Sequence, residues 1–503
     1  MIVTVSILLA LSACGGPKGS PTDTGGASVD TGSGGDDSEG ESPTSGCDSA
    51  DRTGGDTADP DTGDSEDRCD GDLLGVRDVK LCGVGQAYAF GYDVSAGKGA
   101  LDEATVISVG SSPYGLSDDR VEANLWITEL QDVWLADGIR IFDDVEDQTR
   151  FFGRALESGS DLNGDGFTDL GVSAFAASTD GWGGGMVDIY YGPYESSIEA
   201  SAADALVTND AHDFSATFGG TSMTAVPDID NDGDDELLTG GYYYTDDPYF
   251  NVPTLLLGPI SSMDRVDAAA TYLDGSESNS SPGTDTATGD IDGDGVADLL
   301  LSQSYYRPFY GKVYVIPADL RGDVLVDDLP AVVGGEDEDG LEGVTIAAGD
   351  VNADGYDDLI ADRSPTSEGT LFTSVWFGPI PTSVGTEDAT ATFVADASVG
   401  YLRPTVAGDL DGDCVPGDLV FSLLNSSQVH LYPAPLLPGT YTPADDASLI
   451  ARTAATDDAL GWAMAPLPDQ DIDGVDDLLL GAPNDDEGGH NAGAAYVLYG
   501  ASW

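Results

Sequence analysis

From about residue 73 to residue 503 the chain alternates short apolar runs with polar turns, and no long stretch keeps the three-to-four-residue apolar spacing of an amphipathic helix. The runs are of two kinds. Continuous ones, such as 299–301 and 478–480, are short and bounded by turn residues, which is the pattern of strands buried on both faces. Alternating ones, such as Lys312–Ile316 and Ala494–Leu498, read as half-covered strands, with a further candidate at Ala205–Thr208. With 67 glycines in the chain, many turns and few helices are expected.

An acidic turn precedes each continuous run. In 468–483, PDQDIDGVDDLLLGAP, Asp469, Asp471 and Asp473 alternate, Gly474 follows and Asp477 closes the set before the leucines. Alternate residues of a tight loop can aim oxygens at one point, and calcium takes about six to eight oxygens at roughly 2.3–2.6 Å. An EF-hand would continue into a helix with glutamate at the twelfth loop position. Here that position is Leu480, inside an apolar run that ends at Gly481 and Pro483, so the loop feeds a strand.

One such turn by itself is equally well an Asp/Gly-rich bend without an ion; its repetition changes the reading. Copies start at Asp161, Asp228, Asp290, Asp350, Asp409 and Asp469, spaced by 67, 62, 60, 59 and 60 residues. A fixed period is a sign of repeat architecture, and four short strands per period of this length describe a propeller blade. Extended backwards, the period reaches Asp93, where Phe90 and Gly91 are present but 93–98 lacks the carboxylate ladder. The expected fold is therefore all-β, a seven-bladed propeller of four-stranded antiparallel blades over 73–503, with calcium loops in blades 2–7 and a degenerate blade 1. The last repeat stops after its third strand and 73–81 has no other partner, so the amino-terminal strand is expected to complete the last blade, removing exposed sheet edges.

These residues resemble the FG-GAP repeat family, the propeller head of integrin alpha chains and its bacterial relatives. The resemblance rests on Phe90–Gly91, Phe152–Gly153 and Phe218–Gly219, on Gly481-Ala482-Pro483 and on the intervening acidic loops. It implies calcium in the hairpin between the first two strands of a blade. The implied side-chain ligands are Asp161, Asn163, Asp165 and Asp169; Asp228, Asp230, Asp232 and Glu236; Asp290, Asp292, Asp294 and Asp298; Asp350, Asn352, Asp354 and Asp358; and Asp469, Asp471, Asp473 and Asp477. In the sixth copy Asp409, Asp411 and Asp413 remain, but Cys414 replaces the turn glycine and Asp418 comes one residue late, which leaves that loop's occupancy open. About five to six structural calcium ions are expected, and magnesium is disfavoured because it requires tighter octahedral geometry.

The formal charge of −75 excludes polyanionic partners, nucleic acid and anionic membrane surfaces among them. Residues 1–13 form a short apolar run ending in small residues, and Leu11 to Cys14 resembles a bacterial lipobox, which implies lipidation at Cys14. No Lys or Arg precedes the run, a departure from the usual signal; an ordinary secretory signal is the other reading. Residues 14–72 are rich in Gly, Ser, Thr and Asp and read as a disordered tether. The expected location is the outer membrane, facing the cell surface or periplasm, with membrane contact only through the Cys14 lipid. Cys47, Cys69, Cys82 and Cys414 allow three disulfide connectivities, of which Cys47 with Cys69 is the local one.

No GxSxG, HExxH, Walker or CxxC motif is present. His212, His430 and His490 are isolated and read as exposed loop residues. Arg321-Gly322-Asp323 is read as a chance tripeptide. Tyr242 to Tyr244, Tyr305, Tyr306, Phe309 and Tyr310 either pack between blades or line a binding face. The expected function is non-catalytic: a monomeric, calcium-stabilised adhesion head recognising an extracellular protein or polysaccharide. The alternative is a hydrolase or lyase acting on extracellular polymers, since propellers host both.

Overall fold

A computed structural model describes residues 79–500 apart from parts of the connections between strands; residues 1–78 and 501–503 lie outside the described residues. Strand β1 (Val79–Cys82) comes first. Then follow β2 (Phe90–Gly97), β3 (Thr105–Ser111), β4 (Val121–Thr128) and β5 (Ile139–Asp143); β6 (Phe152–Ser160), β7 (Asp169–Ala174), β8 (Met186–Tyr190), β9 (Ile198–Glu199) and β10 (Ala205–Thr208). The third unit contains β11 (Phe218–Val226), β12 (Glu236–Gly241), β13 (Thr254–Leu256), β14 (Met263–Asp264) and β15 (Ala270–Leu273); the fourth β16 (Ser280–Gly289), β17 (Asp298–Tyr305), β18 (Lys312–Ile316), β19 (Gly322–Leu325) and β20 (Ala331–Gly334). The fifth has β21 (Ile346–Gly349), β22 (Asp358–Arg363), β23 (Thr370–Trp376) and β24 (Ala391–Asp396); the sixth β25 (Leu402–Val406), β26 (Leu419–Leu423), β27 (Gln428–Tyr432), β28 (Gly439–Tyr441) and β29 (Leu449–Arg452); the last β30 (Met464–Leu467), β31 (Asp477–Ala482) and β32 (Ala494–Leu498).

Among the described residues the strands form seven sheets, each built on a four-stranded antiparallel meander. First strands touch first strands around a closed circuit, β2 to β6, β11, β16, β21, β25, β30 and back to β2. The molecule is an all-β propeller. The last sheet has the order β1-β32-β31-β30, so the amino-terminal strand completes it, with Val79 opposite Val497 and Cys82 opposite Ala494. This agrees with the expectation that an amino-terminal strand completes the last blade; of 73–81, residues 73–78 lie outside the described residues.

Two expectations need correcting. The sheets are not uniformly four-stranded: β9, β14, β19 and β28 each leave their own unit and pair in parallel with the outer strand of the preceding sheet, on β5, β10, β15 and β24. These short additions cover open edges. The degenerate acidic turn of the first repeat is also not at Asp93. Residues 93–97 lie within β2 and pair with β3, and the Asp93 carboxylate accepts the Leu156 N–H at 2.7 Å, tying β2 to β6. Stepping back 68 residues from Asp161 overshoots into β2, because β2 begins only 62 residues before β6.

Packing follows from the second strand of each sheet. Adjacent residues of a strand point to opposite faces, and here both faces are covered. Leu478 and Leu480 join the core shared with β26, while Leu479 joins the core shared with β2 and β3. Leu299 and Leu301 pack towards the third sheet and Leu300 towards the fifth. The continuous leucine runs are thus strands between two neighbours.

Near the axis four side chains from successive units form a ladder. The Arg403 guanidinium lies 4.3 Å from the Trp462 ring centroid, the Trp462 and Tyr92 rings are 5.6 Å apart, and Arg154 lies 5.3 Å from the Tyr92 centroid. Both arginines are buried, and Arg403 also donates to the Trp462 carbonyl. Asp285 accepts the Ile346 N–H at 3.0 Å, the counterpart of the Asp93 tie. Burial pushes the Asp93 and Asp285 carboxyls well above the usual range, and backbone donors and Arg403 oppose this.

Candidate metal centres

Each acidic turn joins the first and second strands of its sheet, between β6 and β7, β11 and β12, β16 and β17, β21 and β22, β25 and β26, and β30 and β31. The turns share one plan, with the fourth departing in that Asp290 accepts the N–H groups of Gly293 and Gly295, positions four and six. The position-one carboxylate accepts the N–H groups of positions five and six: Asp161 from Asp165 and Gly166 at 3.0 and 2.7 Å, Asp350 from Asp354 and Gly355 at 3.0 and 2.8 Å, Asp469 from Asp473 and Gly474 at 3.1 and 2.7 Å. The position-five carboxylate accepts the N–H of position seven, as Asp294 does from Val296 at 2.9 Å. Short Asp and Asn side chains are the ones that can bond their own backbone in this manner.

The glycine at position six is left-handed, with φ of +88° at Gly166 and +101° at Gly233. Position four is left-handed as well, and the sequence did not announce it: Gly164, Asn231, Gly293, Ala353, Gly412 and Ile472 have φ between 59° and 79°. A left-handed β-branched residue is a genuine outlier, so the loop imposes this backbone on whatever occupies it.

Among the described residues four groups of carboxylates converge, with ligand atoms in each within 4.8 Å of one another: Asp228, Asp230, Asp232 and Glu236; Asp290, Asp292 and Asp294; Asp409, Asp411 and Asp418; and Asp469, Asp471 and Asp473. The second and fifth loops keep the backbone of the others, with Asn163 and Asn352 at position three. In the third loop the Glu236 side chain is fully buried and its Oε1 has no hydrogen-bond partner. A cation fits there, because a buried carboxylate oxygen facing three further carboxylates is otherwise uncompensated.

The sixth loop corrects the sequence reading. Asp418, not Asp413, joins Asp409 and Asp411, and its two oxygens accept the Leu410 and Ala434 N–H groups at 2.9 Å each. The extra residue is absorbed at Gly417, whose φ is +103° and where a Cβ would lie 2.0 Å from the Asp350 carbonyl oxygen. Cys414 takes the left-handed position-six conformation, φ +68°, and is disulfide-bonded.

The closing residues do more than face the loop. Asp169 accepts the Leu162 and Gly192 N–H groups at 2.8 and 2.9 Å, Asp358 those of Val351 and Gly378 at 3.0 and 2.8 Å, and Asp477 those of Gln470 and Gly500 at 2.7 and 2.9 Å. Each therefore ties its own loop to the turn after the third strand. Burial pushes Asp169 and Asp358 up to about 8 and Asp477 up to about 7; neighbouring loop carboxylates add to this, and the backbone donors oppose it. Glu236 is raised to about 8, Asp298 to about 7 and Asp418 to about 7, burial again leading.

The turns after the third strand also serve the loops, which the acidic repeat does not reveal. At Gly192-Pro193, Gly258-Pro259, Gly378-Pro379 and Ala434-Pro435 the chain bends back to the loops, and the Ile260, Ile380 and Leu436 N–H groups donate to Leu162, Ile291 and Val351 of the preceding unit at 3.1, 2.7 and 2.7 Å. Recurrent Gly-Pro dipeptides were the available signal.

Of the other candidates, His430 is not an exposed loop residue. It lies buried in β27, its ring nitrogens 2.8 Å from the Pro443 carbonyl and 3.0 Å from the Gln428 side chain, and burial lowers its pKa. It belongs to the buried run of β27. His490 is exposed beside Asp486. Gly322 opens β19, so Arg321-Gly322-Asp323 runs into a strand paired with β15. His212, Tyr242 to Tyr244, Tyr306, Phe309, Tyr310, Cys14, Cys47 and Cys69 lie outside the described residues, as does the Tyr305 side chain.

Residues 282–316 match the family model described as FG-GAP repeat, a span that runs from β16 through the fourth loop to the end of β18. No curated protein matches the chain.

Proposed function

We propose that this FG-GAP-repeat chain is a seven-bladed, calcium-braced binding propeller that recognises an extracellular protein or polysaccharide without chemistry. The seven sheets, the circuit of first strands and the pairing of β1 with β32 support the blade count. The calcium reading is carried by the buried, partnerless Oε1 of Glu236 among Asp228, Asp230 and Asp232. By the same loop construction, ions would also be held by the second, fourth, fifth and seventh loops, and by Asp409, Asp411 and Asp418 in the sixth. Bound calcium neutralises carboxylates that repel each other, and so stabilises the hairpin that each loop closes. Affinities typical of extracellular calcium modules, about 10⁻⁴ to 10⁻³ M, are expected.

Recognition is assigned to the connections that differ between blades, since the repeated loops serve the scaffold. Residues 1–13 act as a lipoprotein signal, Cys14 carries the lipid and 14–72 hold the head away from an outer membrane. Thermal melting of the full chain with calcium and with chelator tests the brace: a fall of many degrees on stripping is expected, and an unchanged midpoint overturns it. A glycan and matrix-protein array with the calcium-loaded chain tests the function. Calcium-dependent retention without turnover supports adhesion; release of cleaved product overturns it.

A further inference from the structure

We propose that the acidic loops are coupled in consecutive pairs, second with third, fourth with fifth and sixth with seventh, through an aspartate at the eighth loop position. This rests on the calcium reading above and extends it to how the ions bind.

Position eight is no part of the alternating ligand ladder, and its identity itself alternates. It is Thr168, Asp235, Ala297, Asp357 and Asp476 in loops two, three, four, five and seven, and Gly417 stands before the closing residue in the longer sixth loop. The three aspartates do the same thing. Asp235 Oδ2 accepts the N–H of Asp161, position one of the preceding loop, at 2.9 Å. Asp357 Oδ2 accepts the N–H of Asp290 at 2.8 Å, and Asp476 Oδ2 that of Asp409 at 3.1 Å. Asp235 also accepts the N–H of its own loop's first residue, Asp228, at 3.2 Å, so one carboxylate holds the first residues of two loops. The main chain runs alongside, with Asp235 and Asp476 N–H donating to the carbonyls of Asp161 and Asp409 at 2.8 and 2.9 Å.

Position one organises the whole loop, because its carboxylate accepts from position six and from position five, or in the fourth loop position four. Whatever orders one loop of a pair fixes the backbone from which its neighbour's first ligand projects. The ordering cost is then met in part by whichever ion binds first, which is positive cooperativity between sites. At the interface between the third and fourth loops Ala297 offers no acceptor, and between the fifth and sixth Gly417 lies against the Asp350 carbonyl. Glu236, with its partnerless oxygen in the third loop, marks a member of the first pair as a cation site independently of these bonds.

The fourth and fifth loops suit a test because Tyr356, at position seven of the fifth, lies against Gly293 of the fourth. The full chain is titrated with terbium; Tyr356 can sensitise both loops, so the luminescence lost with Tyr356→Phe is taken as its share, the phase of that share lost with Asp354→Ala gives the midpoint for the fifth loop, and calcium competition confirms the sites. Emptying the fourth loop with Asp292→Ala and Asp294→Ala is expected to weaken that midpoint about five- to tenfold. With Asp357→Ala, which installs the residue found at position eight of the fourth loop, the same emptying is expected to change nothing further. An unchanged midpoint on emptying the fourth loop, or an equal drop with and without Asp357, overturns the coupling while leaving the calcium sites in place. Failure of the unmutated chain to bind either ion overturns the calcium reading itself.

Discussion

Lys80 Nζ donates to Asp485 Oδ2 at 2.8 Å across 405 residues of sequence, and both side chains are almost fully buried. The bond joins β1 to the unit it completes, and the Tyr496 hydroxyl donates to the same oxygen at 2.7 Å. The ring is therefore closed by a ladder of backbone bonds and by a buried ion pair.

Removing one partner of such a pair leaves a buried charge, so Lys80→Ala is expected to cost about 3 kcal/mol or more. Lys80→Met with Asp485→Leu should recover most of that. Chemical denaturation of the full chain at fixed calcium checks both; a single-mutant loss within experimental error would mean that the backbone ladder alone closes the ring.

The closing carboxyls predict a pH dependence that calcium should abolish. Without metal, burial holds Asp169, Glu236 and Asp358 near about 8 and Asp298, Asp418 and Asp477 near about 7, above their unfolded values. The folded state then binds more protons than the unfolded state, so stability is greatest below the unfolded carboxyl values and is lost as pH rises through the folded ones. The melting midpoint of the chelated chain should fall from about pH 5 to pH 8. Calcium should flatten this slope and release protons on binding, measurable by calorimetry in buffers of different ionisation enthalpy.

Ile472 is 58% exposed with φ of +59°. Its side chain gains little from packing, while the left-handed backbone costs a β-branched residue about 1–2 kcal/mol. Ile472→Asn should therefore raise stability by about 1 kcal/mol, because asparagine tolerates this conformation. Equilibrium denaturation decides; a loss would show that Ile472 has a contact role.

Cys414 sets a left-handed strain against a covalent gain. Under oxidising conditions Cys414→Gly removes a disulfide that stabilises by about 2–4 kcal/mol and relieves about 1–2 kcal/mol of backbone cost, so a net loss is expected. Under reductant the order should reverse, with the glycine variant melting above the unmodified chain. The same order in both conditions would contradict this assignment.

Much of the molecule was legible along the chain. The period of the acidic loops, the apolar runs after them and the unpaired strand at the amino-terminal end of the first repeat all depend on residues near one another, where alternation and turn chemistry act directly. This is why β10, β18 and β32 lie where their patterns place them, and why Asp290, Asp292 and Asp294 converge as their spacing suggests.

Tertiary structure decided whatever depends on a neighbouring blade. Asp93 reads as the remnant of a turn, yet its carboxylate is buried in β2 because Leu156 on β6 supplies a donor there. Asp418 is out of register in the sequence, but Gly417 can approach the Asp350 carbonyl closely enough to absorb the extra residue. His430 is buried because β26 and β29 flank its strand and the Pro443 carbonyl meets its ring. Local composition determines that a loop forms and a strand follows. Which carboxylate receives the N–H of the next loop is set by distances across the ring, which no single repeat contains.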